Sequence, residues 1–142
     1  MSEYIANPID WVANQVELYE SSNGAEGTTL FDLPCIIVTN KGNKTAAVRK
    51  TPLMRVVDGD NYVLVASWGG APKHPVWYYN LKSEPSVEIR DIDKVQSMSV
   101  HEVTDPVEKA RLWKIAVAAY PPYEEYQEKT SRVIPVFVAV PV

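Results

Sequence analysis

The sequence predicts an α+β, mainly β domain: a closed or partly closed antiparallel barrel with flanking helices. Three observations carry that expectation. Short apolar, β-branched runs recur along the chain, each bounded by Gly, Pro, Asn or Asp. The helical patterns fall between hairpins and do not follow every strand, so the βαβ alternation of a doubly wound sheet is missing. Neither a Gly-x-Gly-x-x-Gly fingerprint nor a phosphate-loop signature occurs.

The first element is an amphipathic helix over 5–21, with Ile5, Ile9, Val12, Val16 and Tyr19 at the three- and four-residue spacing of one helical face. Asn7 is its expected N-cap and Pro8 its first helical residue. The polar face carries only acids, whereas a helix lying on a membrane normally carries Lys or Arg. Docking on its own domain is therefore expected over membrane contact, and pairing of two chains stays open. The stretch 21–27, Ser-Ser-Asn-Gly-Ala-Glu-Gly, is expected to be a flexible connector. Residues 1–142 are expected to form a single domain, of which 1–27 are this helix and connector.

Next comes a hairpin, with strands over 33–39 and 46–51 around the turn Asn40-Lys41-Gly42-Asn43-Lys44. Pro52 marks a bend or a sheet edge. An extended piece, 53–57, leads to the turn Asp58-Gly59-Asp60-Asn61. A strand over 62–68 then ends at Gly69-Gly70, and Trp77, Tyr78 and Leu81 predict a short helix over 75–82. Strands over 86–90 and 94–103 flank Asp91-Ile92-Asp93. Asp105-Pro106-Val107-Glu108 is a capping-box variant that opens a helix whose stripe is Leu112, Trp113, Ala116, Ala119 and Tyr120. Pro121-Pro122 breaks it, a short helical piece covers 123–129, and 134–140 is a last strand.

Composition bounds the function. A 142-residue chain with 46% hydrophobic and 23% charged residues is globular. Four Trp and eight Tyr exceed what a core of this size needs, and such side chains line pockets for flat ligands. The single cysteine, Cys35, lies in an apolar run and is read as a core hydrophobe. With no disulfide possible, no basic-then-apolar leader and no run of about 18 apolar residues, the expected location is the cytoplasm. Two histidines and no cysteine pair give no metal site, and no Gly-x-Ser-x-Gly elbow supports acyl chemistry.

The net charge of −4 conceals an asymmetry. No Lys or Arg precedes Lys41, while Lys41, Lys44, Arg49, Lys50 and Arg55 follow with no acid before Val57. This cluster suits either an anion-gripping turn or a solvated basic hairpin. Nucleic acid is not expected, because the remaining surface is acidic and counterion-release binding needs a broad basic face. A second signal is Val65-Ala66-Ser67-Trp68-Gly69-Gly70, where glycines at a strand end admit a ligand close to the backbone. A third is Tyr120-Pro121-Pro122-Tyr123-Glu124-Glu125-Tyr126, whose evenly spaced phenols suit a pocket wall, since each buried hydroxyl needs a partner.

Taken in order, these stretches resemble the deazaflavin-dependent nitroreductase family of actinobacteria. The resemblance runs through Gly42-Asn43-Lys44-Thr45, Arg49, Pro52-Leu53, Asp58-Gly59, Val65-Ala66-Ser67, Pro75-Val76-Trp77-Tyr78-Tyr79-Asn80-Leu81 and the tyrosine triplet, covering roughly residues 33–140. It implies a split β-barrel of the FMN-binding type, coenzyme F420 as cofactor, and hydride transfer to an electron-poor acceptor such as a nitroimidazole, quinone or enone. By the same resemblance Lys44 and Arg49 hold the phosphate and acidic tail, and Pro52, Leu53 and Met54 run along the deazaflavin ring. Ala66, Ser67, Trp68 and Gly69 meet the ring edge, Val76 and Trp77 close the site, and Tyr120, Tyr123 and Tyr126 wall the substrate pocket. Tyr126 is the expected proton donor or orienting hydroxyl. The family carries a lysine at the position of Trp68 and admits a tyrosine at that of Met54. An FMN-dependent split-barrel oxidoreductase and a non-catalytic deazaflavin carrier are the alternatives, because FMN also ends in a phosphate.

Overall fold

The computed structural model describes residue 4 and residues 9–41 and 47–142. The elements are α1 (Asp10–Ser21), β1 (Thr29–Leu30), β2 (Leu33–Lys41), β3 (Val48–Met54), β4 (Val57–Asp58), β5 (Asn61–Val65), α2 (Val76–Ser83), β6 (Ser86–Asp91), β7 (Lys94–Glu102), α3 (Pro106–Ala119), α4 (Pro122–Lys129) and β8 (Val136–Pro141). Among the described residues the strands form a curled antiparallel sheet ordered β1-β2-β6-β7-β8-β5-β4, with β3 paired to β2 and, beyond that strand, bridged only at Val48 by Tyr4. That leaves β3 as an edge, the one place where Pro52 costs the ladder no bond.

Most central strands are buried on both faces, which is why they appear in the sequence as continuous apolar runs. Ile36, Val38, Leu64, Ile89, Met98 and Phe137 fill the concave side. Val63, Val65, Val136 and Val138 point the other way, onto Leu112 and Ala116 of α3. Along β2 the alternate residues Cys35 and Ile37 pack under Val16 and Tyr19 of α1. Cys35 is fully enclosed, and burial pushes its thiol up to about 11, so it is an inert core residue as expected.

The predicted start of the first helix at Asn7-Pro8 lies outside the described residues; the described helix begins at Asp10 after Ile9, with no side-chain cap. The connector after it is not loose. Tyr19 Oη donates to the Cys35 carbonyl at 3.0 Å and accepts the Ile92 N–H at 2.8 Å. Arg90 Nη1 donates to Asn23 Oδ1 at 2.9 Å, and Gly24, with φ +80°, lies so close to the Ile92 carbonyl carbon that an added Cβ would stand 2.4 Å from it. Glycine there serves close packing against the β6–β7 turn, not flexibility.

The α3 cap is as expected: Asp105 Oδ2 accepts the Glu108 N–H at 2.9 Å ahead of Pro106. Two elements were not anticipated. Strands β1 and β4 have two residues each, too few for a periodicity to register. The β1–β2 turn places Phe31 and Asp32 at φ 51° and 64°, the left-handed pair of a tight hairpin. Among the described residues no helix is long and apolar enough to cross a membrane.

Candidate functional site

An open cavity of about 640 Å³ lies between β3, the turn after β5, the start of α2 and the helix α4. That volume is in the range of small-molecule and cofactor sites. Along β3 the cavity meets Arg49, Pro52, Leu53 and Met54, and at the end of β5 it meets Ser67, Trp68 and Gly69. Val76 and Trp77 border it from α2, and Tyr120, Tyr123 and Tyr126 complete its lining. These twelve residues, separated by up to some 77 positions in the chain, are brought together at one cavity. Ala66 is not on its wall. It is fully buried in the concave core, and it backs the turn from behind. Lys44 lies outside the described residues.

The charge anomaly at 41–55 resolves residue by residue. Lys50 Nζ pairs with Glu20 at 2.7 Å, tying β3 to α1. Arg55 Nε pairs with Asp91 at 2.8 Å, and Tyr62 Oη donates to the same carboxylate at 2.6 Å. Arg49 borders the cavity and has no ion pair among the described residues. Among the described residues it is an unpaired cation on the wall of a largely apolar cavity.

At the cavity wall the chain leaves β5 in a strained turn. Ser67 has φ −79° and ψ −40°, and then Trp68, Gly69 and Gly70 all take positive φ, at 45°, 62° and 80°. A tryptophan in the left-handed region costs on the order of 1–3 kcal/mol and persists only where its surroundings hold it there. Trp68 is 56% exposed, with its ring at the cavity. Gly70 has a packing role: an added Cβ would stand 2.7 Å from the Tyr126 carbonyl oxygen and 3.0 Å from its Cα. Gly70→Ala is expected to push α4 off the turn and lower stability by ~1–3 kcal/mol, measured by denaturant unfolding. Gly69→Ala, where nothing lies within 4 Å of an added Cβ, is expected to cost less.

The tyrosines form a connected set. Tyr120 Oη and Tyr126 Oη share a hydrogen bond of 2.7 Å, and the Tyr123 ring packs edge-on against Tyr120 at 4.8 Å between centroids. Burial, then the hydrogen bond to Tyr126, raises Tyr120 above the ordinary phenol range, and burial raises Tyr123 likewise. Both are neutral O–H donors at physiological pH.

Several wall residues went unanticipated. Ile9 and Trp11 of α1 and Phe31 of the β1–β2 turn are exposed apolar side chains at the cavity. The helix pattern marked Ile9 as core-facing, whereas it is half exposed. Asn80, buried at the cavity wall, sits inside the motif already singled out on α2. Arg132, beneath the Trp68 turn, carried no sequence signal beyond being a lone charge before an apolar strand.

A cation, largely apolar walls, a backbone-lined turn and neutral phenols suit a planar heteroaromatic ligand with an anionic tail, leaving the tyrosines to face a second molecule. The comparisons with known proteins agree. The model of the F420H(2)-dependent quinone reductase family matches residues 11–141. An F420H(2)-dependent quinone reductase of Mycobacterium tuberculosis H37Rv is 40% identical over 125 residues, 85% of this chain and 83% of that protein. A solved F420-H2-dependent reductase superposes with a TM-score of 0.71 at 46% identity, covering 78% of this chain and 97% of that one. A chain solved as a domain-swapped dimer gives 0.73 at 44% identity, over 94% and 99%. A pyridoxamine 5′-phosphate oxidase-type protein of Listeria innocua, 14% identical with a TM-score of 0.54 over 75% and 82%, shares the fold alone. The curled sheet is thus the split β-barrel that the sequence resemblance implies.

Proposed function

Since the chain belongs to the F420H(2)-dependent quinone reductase family, we propose that it is a coenzyme F420-dependent reductase acting on electron-poor acceptors, quinones foremost, with nitroimidazoles and enones as further substrates. The observation that carries this reading is that one cavity is lined both by Arg49 and by the hydrogen-bonded Tyr120–Tyr126 pair. Bound in its reduced form, the deazaflavin supplies the hydride.

The residues present fit that coenzyme. Arg49 offers a charge-assisted contact to a phosphate or carboxylate of the tail. Lys44 is assigned the same role by the family pattern. Pro52, Leu53 and Met54 offer apolar side chains and strand backbone along β3, and Trp77, tilted against Phe137 at 5.9 Å, borders the same cavity. Ser67, Trp68 and Gly69 bring backbone to the ring edge, with Ala66 buried behind them. The acceptor is held against Tyr120, Tyr123 and Tyr126. A quinone that gains a hydride also needs a proton, and Tyr126 Oη donates it, with Tyr120 Oη hydrogen-bonded to it as the next proton source. A cytoplasmic location belongs to the same reading, supported by a single cysteine that is buried and free.

Single-turnover oxidation of protein-bound reduced coenzyme by menadione and by a nitroimidazole tests the reading. Oxidation much faster than that of the free coenzyme is expected with menadione. An unchanged rate with both acceptors would make the protein a carrier instead.

A further inference from the structure

Arg132 lies between α4 and β8, off the cavity wall, yet both of the cavity's functional sides hang on it. Its guanidinium donates to three main-chain carbonyls: Nε to Ala71 at 2.8 Å, Nη1 to Ala66 at 3.1 Å and Nη2 to Ser67 at 2.7 Å. Nη1 also meets His74 Nδ1 at 3.0 Å. A guanidinium has only donors, so His74 accepts. Burial, then the neighbouring guanidinium, keeps His74 below its ordinary pKa and hence in the neutral, accepting form. The main chain of Arg132 is fastened to the tyrosine helix. Gln127 Nε2 donates to the Arg132 carbonyl at 2.8 Å, and Gln127 Oε1 accepts the Ile134 N–H at 2.9 Å. Gln127 is the neighbour of Tyr126, whose backbone abuts Gly70.

We propose that Arg132 is a positioning residue that locks the 67–70 turn to the tyrosine-bearing helix and aims the backbone donors of that turn at the coenzyme ring. The inference rests on the coenzyme F420 reading above.

A trans peptide points its N–H opposite to its C=O. Anchoring the Ala66 and Ser67 carbonyls on the guanidinium therefore turns the N–H groups of Ser67 and Trp68 away from it. Among the described residues, no acceptor takes the N–H of Ser67, Trp68 or Gly69, and all three residues line the cavity. Successive αR and αL residues, here Ser67 and Trp68, converge such groups on one point. The guanidinium charge behind two of these peptides polarises them and strengthens their N–H groups as donors. Donors of this kind favour whichever form of the ring carries more electron density, and that is the reduced one. Arg132 thus discriminates between the two redox forms of the ligand without touching it.

The test is equilibrium titration of wild type, Arg132→Gln and Arg132→Lys with oxidised and with reduced coenzyme F420, alongside a thermal melt of each protein. Arg132→Gln is expected to lose about tenfold more affinity for the reduced form than for the oxidised one. Arg132→Lys, which keeps the charge but not the planar fork, is expected to lose less and in the same direction; it carries the test alone if the glutamine variant does not fold. Equal losses for both forms would make Arg132 merely structural, and no loss would remove it from the site; either result overturns the proposal. Failure of the wild type to bind either form would instead overturn the coenzyme reading, and this inference with it.

Discussion

Tyr126→Phe is expected to lower turnover with menadione roughly a hundredfold, the usual worth of a positioned general acid, while leaving coenzyme affinity nearly unchanged. The reasoning starts from the hydroxyl. Tyr126 Oη is half-buried at the cavity and bound to Tyr120 Oη at 2.7 Å, so its orientation is set before any ligand arrives. Phenylalanine keeps the ring and its packing against Tyr120 and Tyr123, at 5.9 and 6.2 Å between centroids, and removes only the proton. The lost hydroxyl pair costs ~1 kcal/mol of stability, too little to unfold the domain, and a melt run beside the kinetics separates the two effects. Tyr120→Phe is expected to slow turnover less, because Tyr120 stands one hydrogen bond further back. Unaltered turnover in Tyr126→Phe would take the residue out of the mechanism.

Arg49→Ala is expected to weaken coenzyme binding by about ten- to a hundredfold, the equivalent of one charge-assisted contact worth ~1.5–3 kcal/mol. Lys50 and Arg55 do not substitute for it. Lys50 is held by Glu20 and Arg55 by Asp91, so each would have to abandon a salt bridge to reach an anion. Arg49→Lys should recover part of the loss, since an ammonium keeps the charge without the bidentate fork. The measurement is a fluorescence titration with oxidised coenzyme, and its salt dependence should flatten in the alanine variant. Binding at full strength would sink the phosphate assignment.

What was legible in the sequence was whatever local chemistry determines. The Asp105-Pro106 cap, the edge proline of β3 and the tyrosine triplet each announce themselves within a few residues, and each is where the sequence placed it; the strand expected over 62–68 instead ends at Val65, and the glycines belong to the helical turn Trp68–Gly70 beyond it. What was not legible depends on partners far along the chain. Lys50 finds Glu20 across 30 positions and Arg55 finds Asp91 across 36, so a basic cluster that looked uniform contains two structural cations beside Arg49. Arg132 reaches carbonyls 61 to 66 positions away, and carbonyl acceptors leave no mark in a sequence because every residue has one. The connector at 21–27 has the composition of a flexible linker, but Gly24 is spent on contact with Ile92. Ala66 falls behind the turn because the last residues of β5 still alternate between faces, an orientation that strand length decides and motif order does not.

The central claim is that this cavity holds a deazaflavin, and titrating the purified protein with coenzyme F420 and with FMN under identical conditions tests it most directly. Saturable binding of coenzyme F420, tighter by at least about tenfold than that of FMN, is the predicted result. Preferential binding of FMN would contradict the account and make the protein a flavin-dependent member of the same fold.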